Sequence, residues 1–463
     1  MRTLVTNTTL LTARGRRRGD ILITDGRIVA IEERIEVRDC PVIDARGCLV
    51  LPGGIDVHTH LNLQVGDQRV SDGFLAGTRA AAFGGTTCVI EHPGFGPEGC
   101  SLLHQVESYR ALAHGRSLVD YGLHAVIQHV DTGVLAAIAR LPGQGITSLK
   151  VYLTYSGRLN DEEIIAVLQA ARRAGVLVCF HAENHAIISA RTRMLRAAGR
   201  QALPASHPAS RPACAEAEAI CRLICLARAA GDVPIYIVHL STAEGLEHIR
   251  RARRQGSAVY AETCPQYLLL TDTCYLEPGG AGLQYIMAPP LRKKDDCEAL
   301  WDGLADGTID VVATDHCSFS LAQKLHHGRR DVFRAPGGIP GVETRLPLLY
   351  SEGVTAGRID ESCFVRLTAA NPARIMGLAP HKGDLTRGAD ADLVLFDPDR
   401  RVRLAPDVLH QQVDFTPFAG MEVCGWPSRV LLRGETIIRG DRCCADGGSG
   451  RFAMRHVNHQ EGA

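Results

Sequence analysis

Leu51-Pro52-Gly53-Gly54-Ile55-Asp56-Val57-His58-Thr59-His60 decides how this chain is read. The apolar run Leu49–Val57 reads as a strand, and it ends in His-x-His. Side chains two apart on a strand point to the same side, so His58 and His60 present both imidazoles to one point. Alone, the pair is equally at home as two structural histidines. Its position after Leu51-Pro52-Gly53-Gly54, at a strand end, gives it a meaning that the rest of the chain tests.

Outward from this stretch the pattern is strand then helix, repeatedly. Further strand candidates are Thr86–Ile90, Tyr121–Ile127, Thr147–Leu153, Val176–Phe180, Ile235–Val238, Ala258–Glu262 and Val311–Thr314. Amphipathic stretches such as Asp161–Ala174, Ala215–Ala230 and Ala243–Gln255 lie between them. Eight parallel strands with crossover helices make an α/β protein, a (β/α)₈ TIM barrel over residues 51–375, whose chemistry belongs at the C-terminal strand ends. The flanks read differently. Asp25-Gly26 between two β-type runs is a hairpin signal, and Arg429–Ile438 repeats the pattern near the other terminus. Residues 1–50 and 376–463 are therefore expected to pair into one small β-sandwich domain, with a loose Gly- and polar-rich tail after Gly447.

The other strand ends supply more candidate ligands. His181 follows Val176-Leu177-Val178-Cys179-Phe180, His239 follows Ile235-Tyr236-Ile237-Val238, and Asp315 follows Val311-Val312-Ala313-Thr314. Histidines recurring at one topological point favour a metal over separate structural roles, and a carboxylate there both binds metal and passes a proton. Lys150 sits in the otherwise apolar strand Ser148–Leu153. A buried lysine is costly unless paired or altered. Either it snorkels to the rim, or its neutral amine adds carbon dioxide and becomes an anionic carbamate able to bridge two metals. His58, His60, Lys150, His181, His239 and Asp315 thus converge on one barrel mouth. Nitrogen and oxygen donors without thiolate suit zinc, with manganese as the alternative. Cys179 and Cys317 are not expected to be ligands.

Composition narrows the class. Lys plus Arg and Asp plus Glu each count 51, so the net charge is zero and no global field draws nucleic acid or an anionic membrane. No apolar run approaches the ~20 residues of a membrane helix, and Met1–Leu11 alternates instead of forming a signal core. A cytoplasmic location is expected. The sixteen cysteines are scattered, many inside apolar runs, and read as free thiols rather than a disulfide set.

The chain resembles the cyclic amidohydrolases of the dihydropyrimidinase/hydantoinase family, and within it most nearly the D-phenylhydantoinases. The resemblance covers nearly the whole chain. It is carried by Pro52–His60, Ala80–Thr87, Lys150-Val151-Tyr152-Leu153-Thr154-Tyr155, His181-Ala182-Glu183-Asn184, Tyr236–Ser241, Glu262–Tyr267, Pro289-Pro290-Leu291-Arg292, Ala313-Thr314-Asp315-His316-Cys317 and Gly341–Arg345. It implies a binuclear centre: His58, His60 and Asp315 on one metal, His181 and His239 on the other, and N6-carboxylysine at Lys150 with a hydroxide bridging them. It implies that the hydroxide opens a cyclic amide, a 5-substituted (aryl) hydantoin or a dihydropyrimidine, to an N-carbamoyl amino acid, with Asp315 moving the proton and Tyr155 steadying the oxyanion. Main-chain groups near Ala288 and Pro340 would grip the ring's amide edge, and the assembly would be a homotetramer.

Two departures bear on substrate choice. Many relatives have serine at Ala288 and asparagine at Pro340, and Pro340 has no N–H to give. Leu63, Phe95 and Leu159, on loops after early strands, either form an apolar wall for the ring substituent or only pack those loops. Dihydroorotases place an arginine two residues after the second histidine, where this chain has Asn62, which argues against a carboxylate substrate; allantoinase uses the same metals and stays open. A non-catalytic assembly protein of the family would have lost ligands that are all kept here.

Overall fold

The computed structural model describes residues 2–457. Eight parallel strands run around the centre: β1 (Gly54–Thr59), β2 (Thr86–Glu91), β3 (Asp120–Leu123, resuming as Ala125–Val126), β4 (Ser148–Tyr152), β5 (Leu177–His181), β6 (Ile235–Ile237), β7 (Val259–Thr263) and β8 (Val311–Val312). Each pairs in parallel with the next. A parallel bridge from Thr59 to His316 closes the ring. Arg345, fully buried, stitches the same seam by donating to Ile55 O at 3.0 Å and Val312 O at 2.9 Å. Ile55, Val57, Cys88, Ile90, Cys179, Tyr236, Val238, Val311 and Ala313 share one buried cluster. The helices Asp161–Ala174, Ala213–Ala229 and Ala243–Arg254 lie where their apolar spacing puts them.

Three strand expectations are corrected. The run Leu49–Val57 is two strands. Leu49–Pro52 pairs antiparallel with Leu393–Phe396 in the satellite domain, and only Gly54 onward belongs to the barrel. The chain changes sheet at Gly53, where a Cβ would stand 2.0 Å from Thr87 Oγ1. The run Tyr121–Ile127 is interrupted at His124. Simple alternation also fails along β1: Val89 pairs with Asp56 but Glu91 with Thr59, so β1 carries one residue more than β2 across Val57 and His58. This β-bulge re-aims side chains. Val57 joins the apolar cluster, His58 follows it toward the strand ends, and Asp56 turns to Thr314, whose Oγ1 donates to it at 2.6 Å.

Both chain ends build the satellite domain. Arg2–Thr6, Asp20–Thr24, Arg27–Glu32 and Val42–Asp44 form a four-stranded sheet. A seven-stranded sheet interleaves Thr9–Thr12, Gly15–Arg18 and Leu49–Pro52 with Leu393–Arg403, Glu422–Leu432, Glu435–Arg439 and Arg442–Cys443. Asp25 and Gly26 (φ 50° and 81°) and Arg433 and Gly434 (φ 49° and 78°) both take the left-handed conformations of a tight hairpin. Where the sandwich meets the barrel, Lys382 Nζ sits among Asp120 (2.7 Å), Asp390 (3.3 Å) and Asp392 (2.5 Å), so this acidic cluster already holds its cation. All sixteen cysteines are free.

The segment after Gly447 is not loose as far as Val457, and residues 458–463 lie outside the described residues. Gly450 N donates to Ser117 O at 2.9 Å, Tyr121 N to Arg451 O at 3.0 Å, Ala453 N to Tyr121 O at 2.7 Å, and His456 N to Gly377 O at 2.8 Å. Its glycines, which read as slack, are what let its backbone lie flat on the barrel: a Cβ at Gly450 would stand 1.8 Å from Val119 O.

Candidate metal centre

The barrel brings the six predicted strand-end groups to one mouth. His58 Nε2 and His60 Nε2 each lie 3.1 Å from Asp315 Oδ1. On the facing side His239 Nε2 lies 2.9 Å from His181 Nδ1. The two sides are linked by the His58 and His239 rings, 5.5 Å apart between centroids. His239 and Asp315 hold φ of 41° and 54°, a strained region for these residues that turns each side chain off the regular strand course.

What each imidazole does with its other nitrogen decides what faces the centre. His58 Nδ1 meets Glu262 Oε1 at 2.7 Å, His60 Nδ1 meets His92 O at 3.1 Å, and His181 Nε2 meets Glu183 Oε2 at 2.8 Å. A carboxylate or carbonyl oxygen only accepts, so these nitrogens carry the protons and the opposite ones keep lone pairs. His58 Nε2 is buried without a hydrogen-bond partner, and together with His60 Nε2 it aims a lone pair at the carboxylate of Asp315. Lone pairs converging on an anionic oxygen repel unless a cation or a proton lies among them. The donor chemistry therefore fits a divalent ion among His58, His60 and Asp315, with carboxylate and carbonyl partners orienting the ligating rings. Without an ion, burial would depress the His58 imidazole, but Asp315 and Glu262 outweigh it and hold it above its ordinary range, a proton in the cation's place. Burial holds His60, His181 and His239 below theirs. Burial also opposes the Asp315 charge, yet His58 and His60 keep its carboxyl well below the usual range.

Glu262 and Glu183 are functional neighbours that strand-end reasoning misses. Both lie in stretches that stand out in the sequence, but only the fold carries Glu262 to a histidine 204 residues away. Glu262 also accepts from Tyr236 OH at 2.9 Å and His239 N at 3.2 Å. Lys150 is 1% exposed, and its charge acts on His58, His60, His181 and His239, so it lies within electrostatic reach of both sides. Burial pulls its ammonium down to about 8, so a minor neutral fraction is present near neutral pH. Tyr155, at φ 70° and 38% exposed, stands over the mouth with its ring 5.2 Å from that of His181. Loss of solvent pushes its phenol up to about 12, against the pull of Arg211, so it keeps its proton to donate.

A family model described as the amidohydrolase family matches residues 49–437. The chain belongs to the amidohydrolase family. It is 46% identical over 456 residues to a D-phenylhydantoinase of Escherichia coli O6:K15:H31, covering 98% of each chain. Its fold superposes on a dihydropyrimidinase from Brevibacillus agri with a TM-score of 0.97, at 38% identity and 99% coverage of both chains. A D-hydantoinase from a Bacillus species gives 0.96 at 38% identity, covering 99% of this chain and all of that one. The protein is a metal-dependent hydrolase of cyclic amides.

The rim of this amidohydrolase is uneven in what it offers a substrate. Phe95 is 37% exposed, edge-on to Tyr152 at 5.1 Å. Leu63 instead packs down on Val70, Cys317 and Phe319. Leu159 is buried, its N–H on Tyr152 O, so it packs its loop. The segments bearing Ala288 and Pro340 run side by side: Gly338 N donates to Ile286 O at 2.9 Å, and Ile339 bridges His316 beside Asp315. Asn62 Oδ1 accepts from Phe74 N at 2.8 Å and so caps the helix Phe74–Phe83. The Cys179 and Cys317 thiols are pushed up by burial, Cys179 to about 12, and stay neutral.

Proposed function

We propose that this amidohydrolase opens 5-substituted hydantoins, aryl ones first, to N-carbamoyl amino acids at a pair of divalent ions. The carrying observation is the two-sided donor set, His58, His60 and Asp315 facing His181 and His239, with Lys150 buried within reach of their charge. Lys150 is read as the carbamate-bearing residue whose oxygens serve both sides, and zinc as the ion that suits these donors, with manganese next. Bound divalent ions supply Lewis acidity, making water acidic enough to attack a carbonyl near neutral pH. The chain's own groups do the rest. Asp315, held ionised, accepts a proton from the attacking water and passes it to the leaving ring nitrogen. Tyr155 donates its hydroxyl proton in a hydrogen bond to the ring oxygen as negative charge grows there, a contact stronger in the transition state than before it. Main-chain groups beside Ala288 and Pro340 orient the amide edge, Pro340 through its carbonyl only. Phe95 offers the exposed apolar face for the substituent, with Leu63 behind it.

An aryl hydantoin is favoured over dihydroorotate by Asn62, whose side chain is spent on a helix terminus where a carboxylate substrate would need a cation. The relatives' names support the same class. A cytoplasmic homotetramer, with the barrel running from Gly54 to residue 375 and the sandwich built from the segments on either side, completes the proposal. The test is hydrolysis of 5-phenylhydantoin, 5-alkylhydantoins, dihydrouracil, allantoin and dihydroorotate after loading with zinc and bicarbonate. The expected order puts 5-phenylhydantoin first and dihydroorotate last; preferred turnover of allantoin would overturn the substrate reading. Lys150→Ala is expected to lose turnover and paired metal together, and a fully active two-metal variant would refute the carbamate.

A further inference from the structure

The docked tail carries an arginine that enters the barrel. Arg455 is 1% exposed and reaches in where β3 and β4 begin, the end opposite the metal centre. Its Nη1 donates to Ser148 Oγ at 2.9 Å and its Nη2 to Leu123 O. Gly122 leaves the passage open, since a Cβ there would stand 3.3 Å from the arginine Nε. A guanidinium has donors only, so Ser148 Oγ accepts from it. The single Ser148 hydroxyl proton then goes to His124 Nδ1, 2.7 Å away. His124 therefore carries its own proton on Nε2 and donates it to Val57 O at 3.0 Å. Val57 is the residue of the β1 bulge immediately before His58. The His124 ring also lies flat on His92, at 3.8 Å and 5°. His92 in turn lies 4.2 Å from the His58 ring, and its carbonyl receives His60 Nδ1. The His92 ring nitrogens, both buried, have no partner, so stacking alone fixes that ring.

We propose that Arg455 is a positioning residue for the metal centre: through Ser148 and His124 it fixes the bulge that aims His58. A bulge leaves backbone groups without ladder partners. Here the Val57 carbonyl is held by a histidine whose proton placement is dictated from the tail. The inference rests on reading His58 as a metal ligand.

The test uses the full chain loaded with zinc and measures zinc retained against rising dipicolinate, well below the melting temperature. Wild type is expected to hold about two zinc ions per chain, and a wild type that holds none overturns the metal reading and this one with it. R455Q and S148A should each release zinc at about tenfold lower chelator, the scale of losing an outer partner of a metal ligand. Because they break one path, the double variant should be no worse than the weaker single. R455K, which keeps the charge but has no fork to span two acceptors, should fall between. Should R455Q fail to fold, S148A decides alone, since Arg455 keeps its bond to Leu123. Wild-type zinc retention in S148A, or a loss in R455Q that shows only in melting temperature, makes the tail a structural strap and overturns the proposal.

Discussion

Glu262→Gln is the sharpest probe of how the site holds its ions. Three donors converge on this carboxylate: His58 Nδ1 and His239 N on Oε1, and Tyr236 OH on Oε2. Glutamine keeps one oxygen. Placed at Oε1 it still receives His58, and its NH₂ meets a phenol that can rotate to accept, so the fold should survive. What is lost is the charge assistance on the His58 bond, which roughly doubles a hydrogen bond's strength. Taking about 1.4 kcal/mol for that half, close to half of the upper value of about 3 kcal/mol for a bond to a charged group, metal affinity should fall about tenfold. Glu262→Leu is harsher, because it leaves three buried donors unpaired at about 1–3 kcal/mol each, a large share of the 5–15 kcal/mol that holds a domain folded. The assay is zinc retained against graded chelator, with melting temperature measured alongside. If Glu262→Gln retains both ions as tightly as wild type, the carboxylate does not set the protonation of His58 and the argument from converging lone pairs fails.

Tyr155→Phe should lower kcat on 5-phenylhydantoin by about 10²–10³, the scale for losing one oxyanion donor, with zinc content unchanged; an unaltered kcat removes Tyr155 from the mechanism. Phe95→Ser should shift the aryl-to-alkyl ratio of kcat/KM by about tenfold, whereas Leu63→Ser, on a side chain packed inward, should cost stability and leave the ratio nearly fixed. Equal ratio changes would contradict the rim described above. His207 gives a pH test away from the metals. It is buried with Nε2 on Met287 O, and burial depresses it from 6.5 to about 3. Below pH 6.5 the unfolded chain binds a proton that the folded chain refuses, so stability contributed at neutral pH is lost as pH falls from about 6.5 toward 3. Between pH 6.5 and 5 that is at most about 2 kcal/mol, at 1.36 kcal/mol per unit. His207→Gln should flatten this part of the melting-temperature profile, and an unchanged slope would mean that other groups carry it.

The candidate ligands were legible because their place in the chain repeats. His58 and His60 close the first barrel strand, with a bulge rather than simple alternation aiming His58, and barrel topology gathers His181, His239 and Asp315 at the same strand ends. What stayed hidden was non-local. Glu262 looks like an ordinary strand acid until the barrel closes and brings it to His58. The bulge at Val57 and His58 has no signature in one strand, since it exists only against β2. Gly53 reads as part of a continuous strand because the turn between sheets comes from contact with Thr87. The tail misleads because glycines and polar residues, scored locally, spell slack. Backbone docking on β3 and one inserted arginine hold it instead.

The interleaved sandwich also sets a timetable. Val50 finds its antiparallel partner in Leu395, so the ribosome must add 395 − 50 = 345 residues before that pair can form. At about 5–20 residues per second, this is roughly 17–70 s of synthesis. Throughout it Leu49–Pro52, paired only with Thr9–Thr12, exposes its other, apolar edge, while the barrel strands that follow emerge and close in order. A nascent chain with such an open edge is a client for chaperones, and an expression host slowed in its late codons should accumulate it as aggregate.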